Sequence, residues 1–87
     1  MKANMTLNKI PIFEKILAER GRQDDKWGAD RMLDNYEWHT ILSEETGECA
    51  KAVNQDRPQD ELGAELVQVA AVAVAWLECL QHREKIK

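Results

Sequence analysis

Glycine and proline are scarce, four and two in 87 residues, which disfavours sandwiches and barrels built on many tight turns, and long disorder too. Cysteine occurs twice, as Cys49 and Cys79, without CxxC or the Cys/His spacing of a zinc site. Their neighbours repeat at helical intervals, so both read as small core hydrophobes in a reducing compartment, and the cytoplasm is the expected location. No basic run exists. Twelve Lys+Arg face sixteen Asp+Glu for a net charge of −4, which argues against binding nucleic acid by neutralising its phosphates. The N-terminus, Met1 to Asn8, has no apolar core of signal-peptide length. The longest purely apolar run, Val69 to Leu77, is far short of the roughly 18–20 residues that cross a bilayer, so no membrane partner is expected.

What remains is a chain with 44% hydrophobic and 32% charged residues, enough for one core and one domain over residues 1–87. The pattern predicts an all-α fold of three helices in an antiparallel bundle, with residues 1–8 and 85–87 frayed. The first helix starts with Asn8 as cap and Pro11 near its first position, where a missing N–H costs nothing. Ile10, Phe13, Ile16 and Leu17 then form its apolar stripe, and it runs to about residue 25. Trp27-Gly28 and the polar stretch to Asp34 form a loop. The second helix opens at Asp34 or Asn35 and stops near Gln55, ahead of Arg57-Pro58, because a residue before proline avoids helical angles. The third opens near Asp60 and continues to about Glu84.

From Val69 to Leu77 the third helix is apolar on every side, and such a helix must be covered on every side. Two partner helices from so short a chain cannot easily do this. A homodimer, or a tetramer, that completes the bundle is expected. The alternative is a monomer whose N-terminal helix wraps the third.

The acidic residues sit in unexpected places. On a wheel of the second helix with Trp38 at zero, Ile41, Leu42, Cys49, Ala52 and Val53 fall within about 60° on either side. Glu45 lies about 20° from the centre of that stripe, Glu48 about 80° away on its edge, and Glu44 about 120° away. On the third helix Leu62, Leu66, Val69, Ala73 and Leu80 fall within about 60° of one another, with Glu65 about 60° to one side of Leu62. Glu61, Glu65 and Gln68 make one ridge. Two helices joined by a short turn lie antiparallel, which can bring the two acidic ridges face to face.

A carboxylate taken out of water without a partner costs several kcal/mol, so it must be neutralised or protonated. Lys51 and Arg57 are the chief cations nearby and cannot serve four carboxylates. A divalent ion can, and oxygen ligands point to Mg²⁺, with Mn²⁺ as the other candidate. The competing reading gives Glu45 and Glu65 an Arg or Trp N–H from another helix, or water at the bundle's end. A di-iron site is set aside, because no histidine follows either glutamate at the Glu-x-x-His spacing. His39 and His82 both read as structural.

At Glu44-Glu45-Thr46-Gly47-Glu48 the chain resembles the EExxE signature of the MazG-like nucleoside triphosphate pyrophosphohydrolases, with Glu65-Leu66-Val67-Gln68 in the place of their following ExxD. Arg22-Gln23-Asp24-Asp25-Lys26-Trp27-Gly28 and the stretch from Glu65 to Glu78 are similar to small members of that family. The resemblance covers roughly residues 13–80. It implies Mg²⁺-dependent hydrolysis of a nucleoside triphosphate between its α and β phosphates, with Glu45, Glu48, Glu65 and Gln68 as metal ligands. Gln68 departs from the family's Asp, bringing an oxygen without a charge, and Glu61 is a possible substitute. Glu44 then holds or deprotonates the attacking water, Glu45 serves both metal and catalysis, and Lys51, Lys26 and Arg22 meet phosphate oxygens. Trp27 stacks on a base or packs at its helix end. The alternative to an enzyme is a non-catalytic helical dimer that binds a nucleotide or protein partner. The base is not legible.

Overall fold

The structure, a computed structural model, describes residues 2–86, and of their side chains those from 8 to 85. It is all-helical: α1 spans Lys2–Trp27, α2 Asn35–Asn54 and α3 Gln59–Ile86, with no strand among the described residues.

Asp34 caps α2 with a reciprocal pair of bonds. Its carboxylate accepts from the Glu37 backbone N–H at 2.8 Å, and the Glu37 side chain accepts from the Asp34 N–H at 3.3 Å. The sequence therefore places this start correctly. The start of α1 is different: the helix begins at Lys2, so Asn8 is not its cap and Pro11 lies inside it. Pro11 is exposed, and its missing N–H interrupts the ladder on the solvent side rather than ending the helix. α1 also continues through Trp27, past the end expected near residue 25. Of the fraying expected at residues 1–8 and 85–87, Met1 and Lys87 lie outside the described residues, while residues 2–8 belong to α1 and residues 85–86 to α3.

α3 is the common partner. It packs against both α1 and α2, while among the described residues those two helices have no Cα pair within 8 Å of each other. α2 and α3 run in opposite directions, because contacts at the start of α2 reach the end of α3. Trp76 Nε1 donates to Asn35 Oδ1 at 3.0 Å, Arg83 Nη1 donates to the same oxygen at 3.1 Å, and the Arg83 guanidinium also donates to the Leu33 carbonyl. The core lies between them. Trp38, only 1% exposed, packs with Val72, Ala75 and Cys79, and Leu33, Ile41, Leu42 and Trp76 close around it. α1 is held by Arg20, a buried cation whose Nε donates to Glu78 Oε1 at 2.8 Å and whose Nη2 donates to Asp24 Oδ1 at 2.9 Å.

The face of α3 that meets its neighbours is not the one its apolar pattern suggests. Val72, Ala75 and Cys79 are buried, about 100° round the helix from the expected stripe of Leu62, Leu66, Val69, Ala73 and Leu80. Leu66 and Leu80 are instead exposed. A helix apolar on all sides offers two faces of nearly equal hydrophobicity, and periodicity alone cannot choose between them. Trp38 and the Arg20–Glu78 pair make the choice. On α1 the stripe is likewise uncovered, with Ile10, Phe13 and Leu17 all more than half exposed and Ile16 half-buried. α3 also passes the length and composition requirement for a bilayer span, with a mean hydropathy of 1.5 over its most apolar 18 residues, although its longest unbroken apolar run is short.

Candidate metal centre

α2 carries its misplaced acid into the interior as the wheel requires. Trp38 and Ala52 are buried, Ile41, Leu42 and Cys49 are half-buried, and Glu45 is half-buried among them. Val53 does not follow; it is exposed beyond the last packed turn. Glu45 Oε2 is enclosed and accepts no hydrogen bond from any group among the described residues. That oxygen is the most informative atom in the structure, because a buried acceptor without a donor costs about 1–3 kcal/mol.

Glu45 is not alone. Burial raises the proton affinity of its carboxyl first, and the negative charges of Glu65, Glu48, Glu19 and Glu44 raise it further, in that order. Glu65 comes from α3, Glu48 and Glu44 from α2, and Glu19 from α1, so the charge of acids on all three helices bears on one carboxyl. The Cys49 thiol beside them is also pushed up, by burial and then by Glu65 and Glu45. Glu19 was missed in the sequence, where α1 shows only an apolar stripe; its spacing of three before Arg22 is the signal that was available.

The cations near this cluster bind its outer members or a neighbouring amide and leave Glu45 without a donor. Arg22 clamps Glu19 through two bonds, Nε to Oε1 at 2.9 Å and Nη2 to Oε2 at 2.6 Å, which holds the Glu19 carboxyl below its usual range. Arg22 also feels the charge of Glu45 at longer range. Lys51 is exposed and reaches Glu48 Oε1 at 3.5 Å. Arg57 bonds to Gln55 at 2.8 Å and 3.1 Å. None of them donates to Glu45, and the arginine or tryptophan N–H considered as the bland partner of Glu45 is absent from its oxygen.

The remaining expected residues are more scattered. Glu44 and Glu61 are exposed, while Glu65 and Gln68 are half-buried. Gln68 lines a groove of about 820 Å³ between α1 and α3, together with Ile12, Ile16, Glu19 and Arg22 across from it. Lys26 lies 4.6 Å over the ring of half-exposed Trp27, and Arg31, absent from the sequence reading, lies 5.3 Å over the same ring and 4.9 Å over Trp38. Trp27 therefore sits at the far end of α1 as a cation platform, neither buried nor beside Glu45.

As arranged, no three His, Cys, Asp or Glu side chains among the described residues are spaced to grip one ion. The donor chemistry nonetheless suits a hard cation: carboxylate oxygens from three helices, an enclosed oxygen without a donor, and the amide of Gln68 on the adjoining wall. Known protein families, characterised proteins and solved structures offer no match to this chain.

Proposed function

We propose that this protein hydrolyses a nucleoside triphosphate between the α and β phosphates, releasing the monophosphate and pyrophosphate, as a Mg²⁺-dependent homodimeric enzyme of the cytoplasm. Mn²⁺ is the alternative ion, and neither nucleic acid nor a membrane is a partner. One observation carries this reading: the enclosed, donorless oxygen of Glu45, a carboxylate on which the negative charges of Glu65, Glu48 and Glu19 also bear. Arg22 pairs with Glu19 and Lys51 with Glu48, but neither donates to Glu45, whose carboxylate remains short of positive charge that a divalent ion would supply. The resemblance of Glu44 to Glu48 to EExxE also singles out Glu45 and Glu48, and that of the following motif Glu65, but not Glu19.

Glu45, Glu48 and Glu65 would hold the ion, with Gln68 contributing a neutral oxygen or Glu61 standing in for it. When bound, Mg²⁺ screens the triphosphate and polarises the α-phosphorus. Glu44, exposed at the outer edge of the cluster, positions a water and takes its proton as it attacks. Arg22 and Lys51 are exposed cations, each paired with a carboxylate; the exposed Lys51–Glu48 pair can yield to a phosphate oxygen readily, whereas Arg22 would have to leave or share the half-buried Glu19. Lys26 serves the outer phosphates, and Trp27 offers its ring to a base once a cation is displaced from it.

A second reading is a helical dimer that binds a nucleotide or protein without turnover. Gln68 in place of a charged ligand and the wide spacing of the acids favour it. A pyrophosphate-release assay over ribo- and deoxynucleoside triphosphates, with and without Mg²⁺, separates the two. Release that depends on Mg²⁺ supports the enzyme; binding of a triphosphate with no release at any Mg²⁺ concentration supports the module.

A further inference from the structure

Trp38 is 1% exposed, and among the described residues its Nε1–H is enclosed and donates to nothing. A buried donor almost always has an acceptor, so this one calls for an explanation. Beside the indole lies a cavity of about 10 Å³, where the three helices meet the α1–α2 connection. Arg20 and Asp24 of α1, Trp38 of α2 and Glu78 of α3 line it, and Asp30 and Arg31 of the connection complete its wall. Local backbone helps to build that wall. Gly28 and Asp30 take left-handed angles, φ 90° and 58°, and just beyond them Arg31 lies 4.9 Å over the Trp38 ring. Glycine enters that region freely and aspartate more readily than most residues.

We infer that one water molecule occupies this cavity, accepting the Trp38 Nε1–H and donating to Asp24 or Glu78. Size sets the first limit. A single water needs about 10–15 Å³ of such space and two to four polar partners, so nothing larger fits. Complementarity sets the second. The indole can only donate, and so can the guanidiniums of Arg20 and Arg31. The ionised carboxylates of Asp24, Asp30 and Glu78 can only accept. Arg20 takes Oδ1 of Asp24 and Oε1 of Glu78, one oxygen of each. A halide would satisfy the indole but would face three carboxylates against two guanidiniums. A metal ion or ammonium would satisfy the carboxylates and leave the indole without an acceptor. Water both accepts and donates, and it carries no charge.

The position of this water gives it a structural task. Trp38 anchors α2 on α3 through Val72, Ala75 and Cys79, and Arg20 anchors α1 on α3 through Glu78. Between α1 and α2 themselves, no Cα pair among the described residues comes within 8 Å. The water joins the two anchors and so couples α1 to α2 without direct packing between them. A water bridge of this kind is nearly as good as a direct hydrogen bond. Its cavity shares no residue with the carboxylate cluster around Glu45, so this inference stands apart from the hydrolysis reading.

Nuclear magnetic resonance on the full chain, without divalent ion or nucleotide, tests this at the indole itself. Trp27→Phe and Trp76→Phe, neither in the cavity wall, identify the Trp38 N–H by elimination. That N–H should show a cross-peak to water of opposite sign in the laboratory and rotating frames, the mark of a water held in place rather than of proton exchange. The cross-peak should persist when chloride is replaced by sulfate and when a chelator is added. Ala75→Val fills the cavity from its α3 wall and should abolish the cross-peak with the helical circular dichroism kept. The wild-type reading decides alone if that variant does not fold. A crystal structure should place one water about 2.7–3.2 Å from Trp38 Nε1. No cross-peak, one with the sign of exchange, its loss with chloride or chelated metal, its survival in folded Ala75→Val, or a protein acceptor on Nε1 would each overturn the inference.

Discussion

Glu65 on α3 is, after burial itself, the strongest influence raising the proton affinity of Glu45 on α2. The two residues lie on neighbouring helices that run in opposite directions, and neither has a cation between them. Because Glu45 is held with a raised affinity, the folded chain binds a proton there more tightly than the unfolded chain. Its contribution to stability is therefore full below the unfolded carboxyl range, about 4.3, and is lost as pH rises through the higher folded value. Glu19, lowered by Arg22, has the opposite sense: its contribution is present above the unfolded value and is lost as pH falls through the folded one.

The Glu45→Gln variant isolates the first effect. In the absence of divalent ions it should be more stable than the wild type at neutral pH, and the gap should close as the pH approaches the unfolded carboxyl range. Urea unfolding across that range measures both. A wild type more stable than Glu45→Gln at neutral pH without metal would mean that Glu45 has a partner after all.

Arg20 should matter more than any surface ion pair. It is 7% exposed and bridges α1 to Glu78 of α3 while also binding Asp24 and Gln23. Removing it as Arg20→Ala leaves Glu78 and Asp24 with access to water, so the loss is smaller than for a fully buried pair, about 1–3 kcal/mol. Thermal unfolding should fall by about 4–8 °C for each kcal/mol lost in a chain of this size. Glu78→Ala should cost more than its own exposure suggests, because it leaves the buried guanidinium with Asp24 as its one carboxylate partner.

Much of α2 is legible in the sequence, and much of α3 is not. Asp34 and Glu37 form a local capping pair, and Trp38, Leu42, Glu45 and Cys49 fall on one stripe. α3 offers two apolar faces, and which of them meets Trp38 depends on residues from other helices. The same reason hides Glu19. Its place in the cluster arises from how α1 crosses α3, a property of packing that no single-helix pattern encodes. Pro11 misleads because proline marks a first turn more often than a solvent-facing interior position.

Gln68 invites a gain-of-function test. Gln68→Asp restores a charge to a neutral position on the wall beside Glu65, and ligand charge sets much of the affinity of a hard-cation site. Mg²⁺ should bind about tenfold more tightly or better, read by titration calorimetry, while Glu61→Gln should change little if Gln68 itself is a ligand. Equal Mg²⁺ affinity in wild type and Gln68→Asp would remove position 68 from the site.

Everything proposed for the chemistry depends on the Glu45 cluster accepting a divalent ion. Thermal unfolding with increasing Mg²⁺ at neutral pH reads this directly, since an ion that binds only the folded state stabilises it by about 2.7 kcal/mol at a hundred times its dissociation constant. The wild type should melt progressively higher as Mg²⁺ is raised, and Glu45→Gln, though more stable without the ion, should not respond. Equal responses in the two proteins, or none in the wild type, would contradict the account.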